Sequence, residues 1–112
     1  MLYHILTKSE YHKYQNSDTY APESLTTEGF IHLAYQEQVQ KIIDCFFAGV
    51  SEIYLLEINK STVAQCLKDE PPVGTQDDGE RYPHLYGSLC KRAVIKTINL
   101  IADANGELKF TH

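Results

Sequence analysis

The apolar residues of this chain form one extended helical pattern among several short, strand-like runs. Between Tyr35 and Gly49 the apolar positions recur at i, i+3, i+4, i+7 and i+8, which predicts one buried face of a helix. These positions are Val39, Ile42, Ile43, Phe46 and Phe47. Gly49 is predicted to be the C′ residue that ends this helix. Because the other apolar runs are short and do not alternate regularly with helices, we predict an α+β fold rather than a doubly wound one.

Six runs of β-forming residues predict the strands of this fold. The predicted strands cover residues 1–7, 29–34, 53–58, 82–86, 93–102 and 107–111. Thr7 and Glu10 have the spacing of a capping box, which predicts a helix from there to about Asn16. Residues 22–25 and 62–67 are predicted to add a turn of helix and a short helix, and residues 69–81 a long loop. Asn105-Gly106 indicates a hairpin turn before the last strand.

Composition limits the function classes that remain. The 112 residues suit a single domain, 1–112, and their formal net charge of −5 excludes nucleic-acid binding driven by positive charge. No apolar stretch is long enough for a membrane span, and no secretory leader is visible. Cys45, Cys66 and Cys90 are an odd number with spacings that fit neither a disulfide framework nor a zinc site. We therefore expect three reduced thiols in a cytoplasmic protein.

Three histidines, His4, His32 and His84, lie in three different predicted strands. A single histidine among apolar residues is usually a core residue whose nitrogens are hydrogen-bonded. Three of them on separate strands also fit a shared cleft, and the sequence leaves both interpretations open. Their spacing matches no metal-binding motif, so we expect no bound metal ion.

The block from Tyr82 to Gly87 combines two tyrosines, a proline, a histidine and a glycine. Tyr86 and His84 offer a stacking and hydrogen-bonding surface for a planar ring, and Gly87 permits close approach of a ligand. The alternative is a strand end that carries aromatic core residues. Glu70 is the candidate acid of this neighbourhood, with a solvated loop carboxylate as the alternative.

Several short motifs occur together along almost the whole chain. They are Tyr3-His4-Ile5, Tyr20, Ser24-Leu25, Gly29-Phe30-Ile31-His32, Gln38, Glu70 and the block Tyr82 to Gly87. In this set the chain resembles the small bacterial and plant proteins of the "domain of unknown function 952" family. Tyr11 and Asp69 stand where that family has Trp. Leu33-Ala34 replaces its Cys-Ser pair, so a hydroxyl is missing at Ala34.

The resemblance implies a compact fold similar to the ADP-ribosyltransferase-like superfamily, with two small sheets and two or three helices around a cleft. In active members of that superfamily the cleft holds NAD. By position, His4 would grip the ribose and His32 would lie in the motif that supports the nicotinamide. Glu70, or else His84 with Tyr86, would orient the reacting group.

Two functions follow as hypotheses. The first is a protein that binds or cleaves NAD or an ADP-ribose-type ligand, with His4, His84, Tyr86 and Gly87 as binding residues. In this hypothesis Glu70 and His32 are the catalytic residues, and a negative group near the ribose stabilises the positive charge that develops there. The second is a non-catalytic ligand-binding or dimerising module. We expect a monomer or a weak homodimer that pairs through a strand edge.

Overall fold

A computed structural model describes residues 1–73 and 75–111, and this part of the chain contains nine β-strands and four α-helices. The strands are β1 (Leu2–Thr7), β2 (Thr19–Tyr20), β3 (Ile31–His32), β4 (Ala34–Tyr35), β5 (Glu52–Ile58), β6 (Leu67–Glu70), β7 (Tyr82–Leu85), β8 (Leu89–Cys90) and β9 (Val94–Ile101). The helices are α1 (Lys8–Gln15), α2 (Glu23–Thr27), α3 (Val39–Phe46) and α4 (Lys60–Val63). Short 3₁₀ turns cover Gln36–Gln38, Ala64–Cys66 and Lys91–Ala93.

The strands form antiparallel sheets of four, three and two strands. The four-stranded sheet has the order β4-β1-β5-β9, the three-stranded sheet β3-β7-β6, and the pair β2-β8. The α+β class is therefore confirmed. The expected two sheets and two or three helices were too few, since the described residues form three sheets and four α-helices. β2 and β6 carry few apolar residues and had no strand pattern. Residues 67–70, predicted as the end of a helix and the start of a loop, are strand β6.

The central strands β1 and β5 of the four-stranded sheet are covered on both faces. One face packs Leu2, Leu6 and Leu56 against Ile31 and Leu85 of the three-stranded sheet. The opposite face lies against α3 and the C-terminal segment, with Ile53, Leu55, Val39, Ile43 and Leu108 in its core. The nearly continuous apolar run of β5 follows from this position, because both of its faces are covered.

The predicted strand 29–34 is two strands that belong to different sheets. Ile31–His32 pairs with β7, whereas Ala34–Tyr35 pairs with β1. Between them the amide of Leu33 donates a hydrogen bond to the carbonyl of Pro83 at 3.0 Å. The run therefore crosses from one sheet to the other, a change of partner that alternation of side chains does not reveal.

The predicted start of α1 holds, whereas the predicted end of α3 does not. Thr7 accepts a hydrogen bond from the amide of Glu10, whose carboxylate accepts from the amide of Thr7, so the capping box is confirmed. Helix α3 ends at Phe46 with Phe47 as its C-cap, so Gly49 is not the C′ residue. Gly49 lies in the following turn at φ 82°. Within the described residues no helix has the length and apolar character needed to cross a bilayer.

The predicted last strand, 107–111, is wrong. The turn before it forms, with Gly106 at φ 77° and its amide bonded to the carbonyl of Asp103. The segment beyond the turn runs against α3, where Gln40 donates to the carbonyl of Leu108 and accepts from the amide of Phe110. A side-chain amide thus provides backbone hydrogen bonds that a neighbouring strand would otherwise supply.

The capping box gives a test of this fold. Thr7→Ala removes the hydroxyl that accepts from the Glu10 amide and should lower the free energy of unfolding by about 1 kcal/mol. Thr7→Ser keeps the hydroxyl and should stay within about 0.5 kcal/mol of the wild type. Urea unfolding followed by circular dichroism measures both, and equal losses in the two variants would contradict the capping role.

Candidate functional site

A cleft of about 440 Å³ opens beside the outer edge of β1. β4 pairs with β1 at Leu2 and Tyr3, and within the described residues the same edge is unpaired from His4 onward. The walls of the cleft come from this edge, the start of α2, one side of α3, the loop between β6 and β7, and β7 itself. The cleft exists because β3 and β4 diverge into different sheets just opposite the edge of β1.

His4 is held inside this wall by both of its ring nitrogens. Its Nδ1 lies 2.8 Å from the carbonyl oxygen of His32, and its Nε2 lies 3.2 Å from the hydroxyl of Tyr20. A carbonyl only accepts, so Nδ1 carries the proton, and Nε2 accepts from the hydroxyl of Tyr20. Burial lowers the pKa of His4, which keeps the ring neutral.

The three-stranded sheet has an apolar face that packs in the core and a second face that carries the histidines. Ile31 and Leu85 are paired and lie in the core, so the next residues, His32 and His84, share the opposite face. Their ring centroids lie 5.6 Å apart with the planes at 72°. Period-two alternation in β3 and β7 thus places two imidazoles side by side at the cleft.

Glu70 fixes the ring of His84 from the neighbouring strand. The carboxylate oxygen Oε1 of Glu70 lies 2.9 Å from Nδ1 of His84 and accepts a hydrogen bond from the hydroxyl of Tyr86 at 2.5 Å. These hydrogen bonds, that of Tyr86 first, lower the pKa of Glu70. The same contact with Glu70 raises the pKa of Tyr86. Phe30 stacks on the other side of the His84 ring, with centroids 4.1 Å apart.

His32 has a carboxylate partner of its own. Its Nε2 lies 3.1 Å from Oε1 of Glu28, the residue that caps the end of α2. The side chain of His32 is 43% exposed, whereas that of His84 is 2% exposed. The site therefore contains two carboxylate–histidine pairs, one at the surface and one buried.

The loop between β6 and β7 closes one side of the cleft and is tied to α3. Lys41 of α3 forms ion pairs with Asp78 and with Glu80, the latter at 2.6 Å. The hydroxyl of Tyr82 also donates to Asp78, at 2.5 Å. The hydrogen bond from Lys41 is the first cause of a pKa of Asp78 well below its ordinary value. This clamp holds Pro72 and Gln76 at the cleft wall.

The structure brings together some of the residues predicted for the site. His4, His32 and His84 line one cleft. Glu70, Tyr86 and Gly87 do not line it in the part of the chain that the structure describes. Glu70 and Tyr86 instead hold His84, and Gly87 packs near the sulfur of Cys66.

Sequence reasoning assigned no role to several residues that shape the site. Tyr20 and Glu28 hold His4 and His32, Phe30 covers His84, and Lys41 with Asp78 secures the loop. Tyr20 and Phe30 belong to the motifs of the resemblance, and Glu28 and His32 are four residues apart, so the sequence contained a signal for these three contacts. The contact of Lys41 with Asp78 joins residues far apart in the chain.

A second groove, of about 730 Å³, lies between the end of α3 and residues 106–111. Its described lining residues include no histidine and no tyrosine. Since specific sites combine an apolar surface with a few convergent polar groups, the smaller cleft beside β1 is the better candidate.

Two imidazoles with carboxylate partners are suited to general acid–base chemistry. Because a carboxylate accepts, Nδ1 of His84 carries the proton in the neutral ring and Nε2 carries the lone pair. All buried side-chain nitrogen and oxygen atoms in the described residues have partners, and no protein group bonds Nε2 of His84 there. This nitrogen is therefore not completely buried, and His84 lines the cleft wall. Residues 1–73 and 75–111 contain no group of three or more His, Cys, Asp or Glu side chains arranged to hold a metal ion.

The fold and the site define an α+β protein with a histidine-lined cleft between antiparallel sheets. Residues 5–97 match the family model described as "Protein of unknown function (DUF952)". The chain therefore belongs to the DUF952 family.

Solved structures of protein CC0527 from Caulobacter crescentus are similar to this chain. The crystal structure shares 29% sequence identity and a TM-score of 0.81, covering 96% of this chain and 92% of that one. The solution NMR structure has 29% identity and a TM-score of 0.76, covering 94% and 88%. No curated protein matches the chain. These comparisons support the family, while the likeness to the ADP-ribosyltransferase-like superfamily stays a prediction.

The buried, neutral state of His4 predicts a dependence of stability on pH. The unfolded ring has a pKa of about 6.5, and the folded ring a lower one, so the unfolded state binds the proton more readily. The contribution of His4 is complete above about pH 6.5 and declines below it, by at most about 1.4 kcal/mol per pH unit.

Urea unfolding between about pH 5 and pH 8 measures this dependence in the wild type and in His4→Gln. The variant should be less stable at pH 8, because it loses the paired hydrogen bonds, and should show a flatter slope below pH 6.5. Parallel curves for the two proteins would contradict the burial of a neutral His4.

Proposed function

We propose that the cleft beside β1 binds a small ligand of the NAD or ADP-ribose type, as a substrate rather than as a resident cofactor. The observation that carries this proposal is the convergence of His32 and His84 on a cleft whose remaining walls are mostly apolar. Its volume of about 440 Å³ lies within the range of small-molecule sites, about 300–1,000 Å³.

The walls of the cleft suit the planar ring and the ribose hydroxyls of such a ligand. Leu33, Ile42, Phe47 and Tyr82 offer apolar and aromatic surface for a planar ring. The imidazoles offer hydrogen-bonding atoms for ribose hydroxyls. An Nε2 that carries a lone pair, as in His84, accepts a hydrogen bond from a hydroxyl.

The contacts of the site change the roles first expected for two residues. His4 uses both nitrogens within the protein, so it acts on the ligand by holding the carbonyl of His32 and the hydroxyl of Tyr20 in place. Glu70 lies outside the cleft lining and reaches the ligand only through His84. His32 and His84 are then the residues that contact the ligand.

Calorimetry and thermal unfolding with ADP-ribose, NAD and nicotinamide test this proposal. For a ligand present at 100 times its Kd, the free energy of unfolding should rise by about 2.7 kcal/mol. Cys45→Trp places a large ring at the cleft wall, where Cys45 is exposed, and should weaken binding at least about tenfold, or 1.4 kcal/mol.

Cys90→Trp is the matched control, because Cys90 is also an exposed thiol but does not line the cleft. This variant should bind like the wild type. Absence of binding by all three compounds, or equal weakening in the two Trp variants, would overturn the proposal.

A further inference from the structure

The geometry points to His84 as a general base that takes a proton from a water molecule attacking the bound ligand, with Glu70 as its positioning residue. This inference rests on the proposed function and adds a reaction to it: hydrolysis of the bond between the ribose and its ring nitrogen. It is carried by the Glu70–His84–Tyr86 arrangement, in which a carboxylate outside the cleft lining bonds Nδ1 of a histidine that lines the cleft.

The orientation of the His84 ring is fixed on three sides. Glu70 bonds Nδ1 at 2.9 Å, Phe30 stacks on the ring at 4.1 Å between centroids, and the ring of His32 lies edge-on at 5.6 Å. Nδ1 and Nε2 point away from each other across an imidazole, so a ring held by Glu70 at Nδ1 turns Nε2 away from Glu70. Since His84 lines the cleft and Glu70 does not, Nε2 is the ring nitrogen that faces the cleft.

The hydroxyl of Tyr86 holds the carboxylate of Glu70 in place beside the ring of His84. Both donors, the hydroxyl of Tyr86 and Nδ1 of His84, use the same oxygen, Oε1. Protonated Glu70 would be a poorer acceptor, and the lowered pKa of Glu70 keeps it ionised at neutral pH. An ionised carboxylate fixes the tautomer with the proton on Nδ1, and it stabilises the imidazolium that forms when Nε2 accepts a proton.

The reaction that needs such a base balances with water alone. The water oxygen bonds to C1′ of the ribose, and the bond between C1′ and the nicotinamide nitrogen breaks. The electron pair of that bond goes to the positively charged nicotinamide ring, which leaves neutral. The proton of the water goes to Nε2 of His84 and then to solvent. No acid is required for the leaving group, so one base is sufficient.

A substitution that keeps a donor at the position of Nδ1 but removes Nε2 of His84 tests the inference. His84→Asn retains an amide donor near the place of Nδ1 but removes the nitrogen at Nε2. We expect ADP-ribose to bind up to about tenfold more weakly, the cost of one lost hydrogen bond, and kcat for NAD hydrolysis to fall by about 10²-fold or more. Circular dichroism and the melting temperature establish that the variant is folded.

Glu70→Gln tests the positioning role at a residue that is one-third exposed and therefore tolerant of change. We expect kcat to fall while KM stays near the wild-type value, because the lost charge acts after the ligand is bound. ¹⁵N NMR of labelled histidine should show the proton of neutral His84 on Nδ1 in the wild type and a mixture of tautomers in Glu70→Gln. Glu107→Gln, which removes a carboxylate charge outside the cleft, should leave kcat and the tautomer of His84 unchanged.

The outcomes separate this inference from the proposed function. Binding of ADP-ribose without hydrolysis of NAD by the wild type would overturn the inference and leave the proposed function standing. Undiminished hydrolysis by folded His84→Asn, or a wild-type His84 with its proton on Nε2, would also overturn it. If no compound binds, the proposed function fails and this inference fails with it.

Discussion

The two hydrogen bonds of His4 join all three sheets of this protein. His4 belongs to β1 of the four-stranded sheet, the carbonyl that it bonds belongs to β3 of the three-stranded sheet, and Tyr20 belongs to the β2-β8 pair. His4 is only 7% exposed, so water does not compete effectively for these two hydrogen bonds. The position of His32 at the cleft depends on the first of these hydrogen bonds, because the carbonyl that His4 holds belongs to that residue.

The rest of the site follows from sheet alternation. The pairing of Ile31 with Leu85 commits one face of β3 and β7 to the core, and this leaves His32 and His84 on the other face. β6 then adds Glu70 beside Tyr82 on the same sheet, within reach of the next histidine. The arrangement of His32, His84 and Glu70 is thereby built on paired strands, which hold side chains more firmly than loops do.

The sequence predicted the parts of this structure that depend on local patterns. The capping box at Thr7 and Glu10, the amphipathic pattern of α3 and the apolar run of β5 each contain their own signal. The crossing at Leu33, the polar strand β6 and the clamp of Gln40 on the C-terminal segment depend on partners distant in the chain. For the same reason the three histidines were recognisable as candidates, while the partners of their nitrogens were not.

The central claim is that the cleft between the sheets receives a ligand at Nε2 of His84 while His4 stays bonded within the protein. A crystal structure of the complex with ADP-ribose tests it most directly. The account predicts ligand density beside β1, with a ligand hydroxyl or a bridging water about 3 Å from Nε2 of His84 and both hydrogen bonds of His4 intact. Density in the groove between α3 and residues 106–111, or a His4 ring turned into the cleft to bind the ligand, would contradict it.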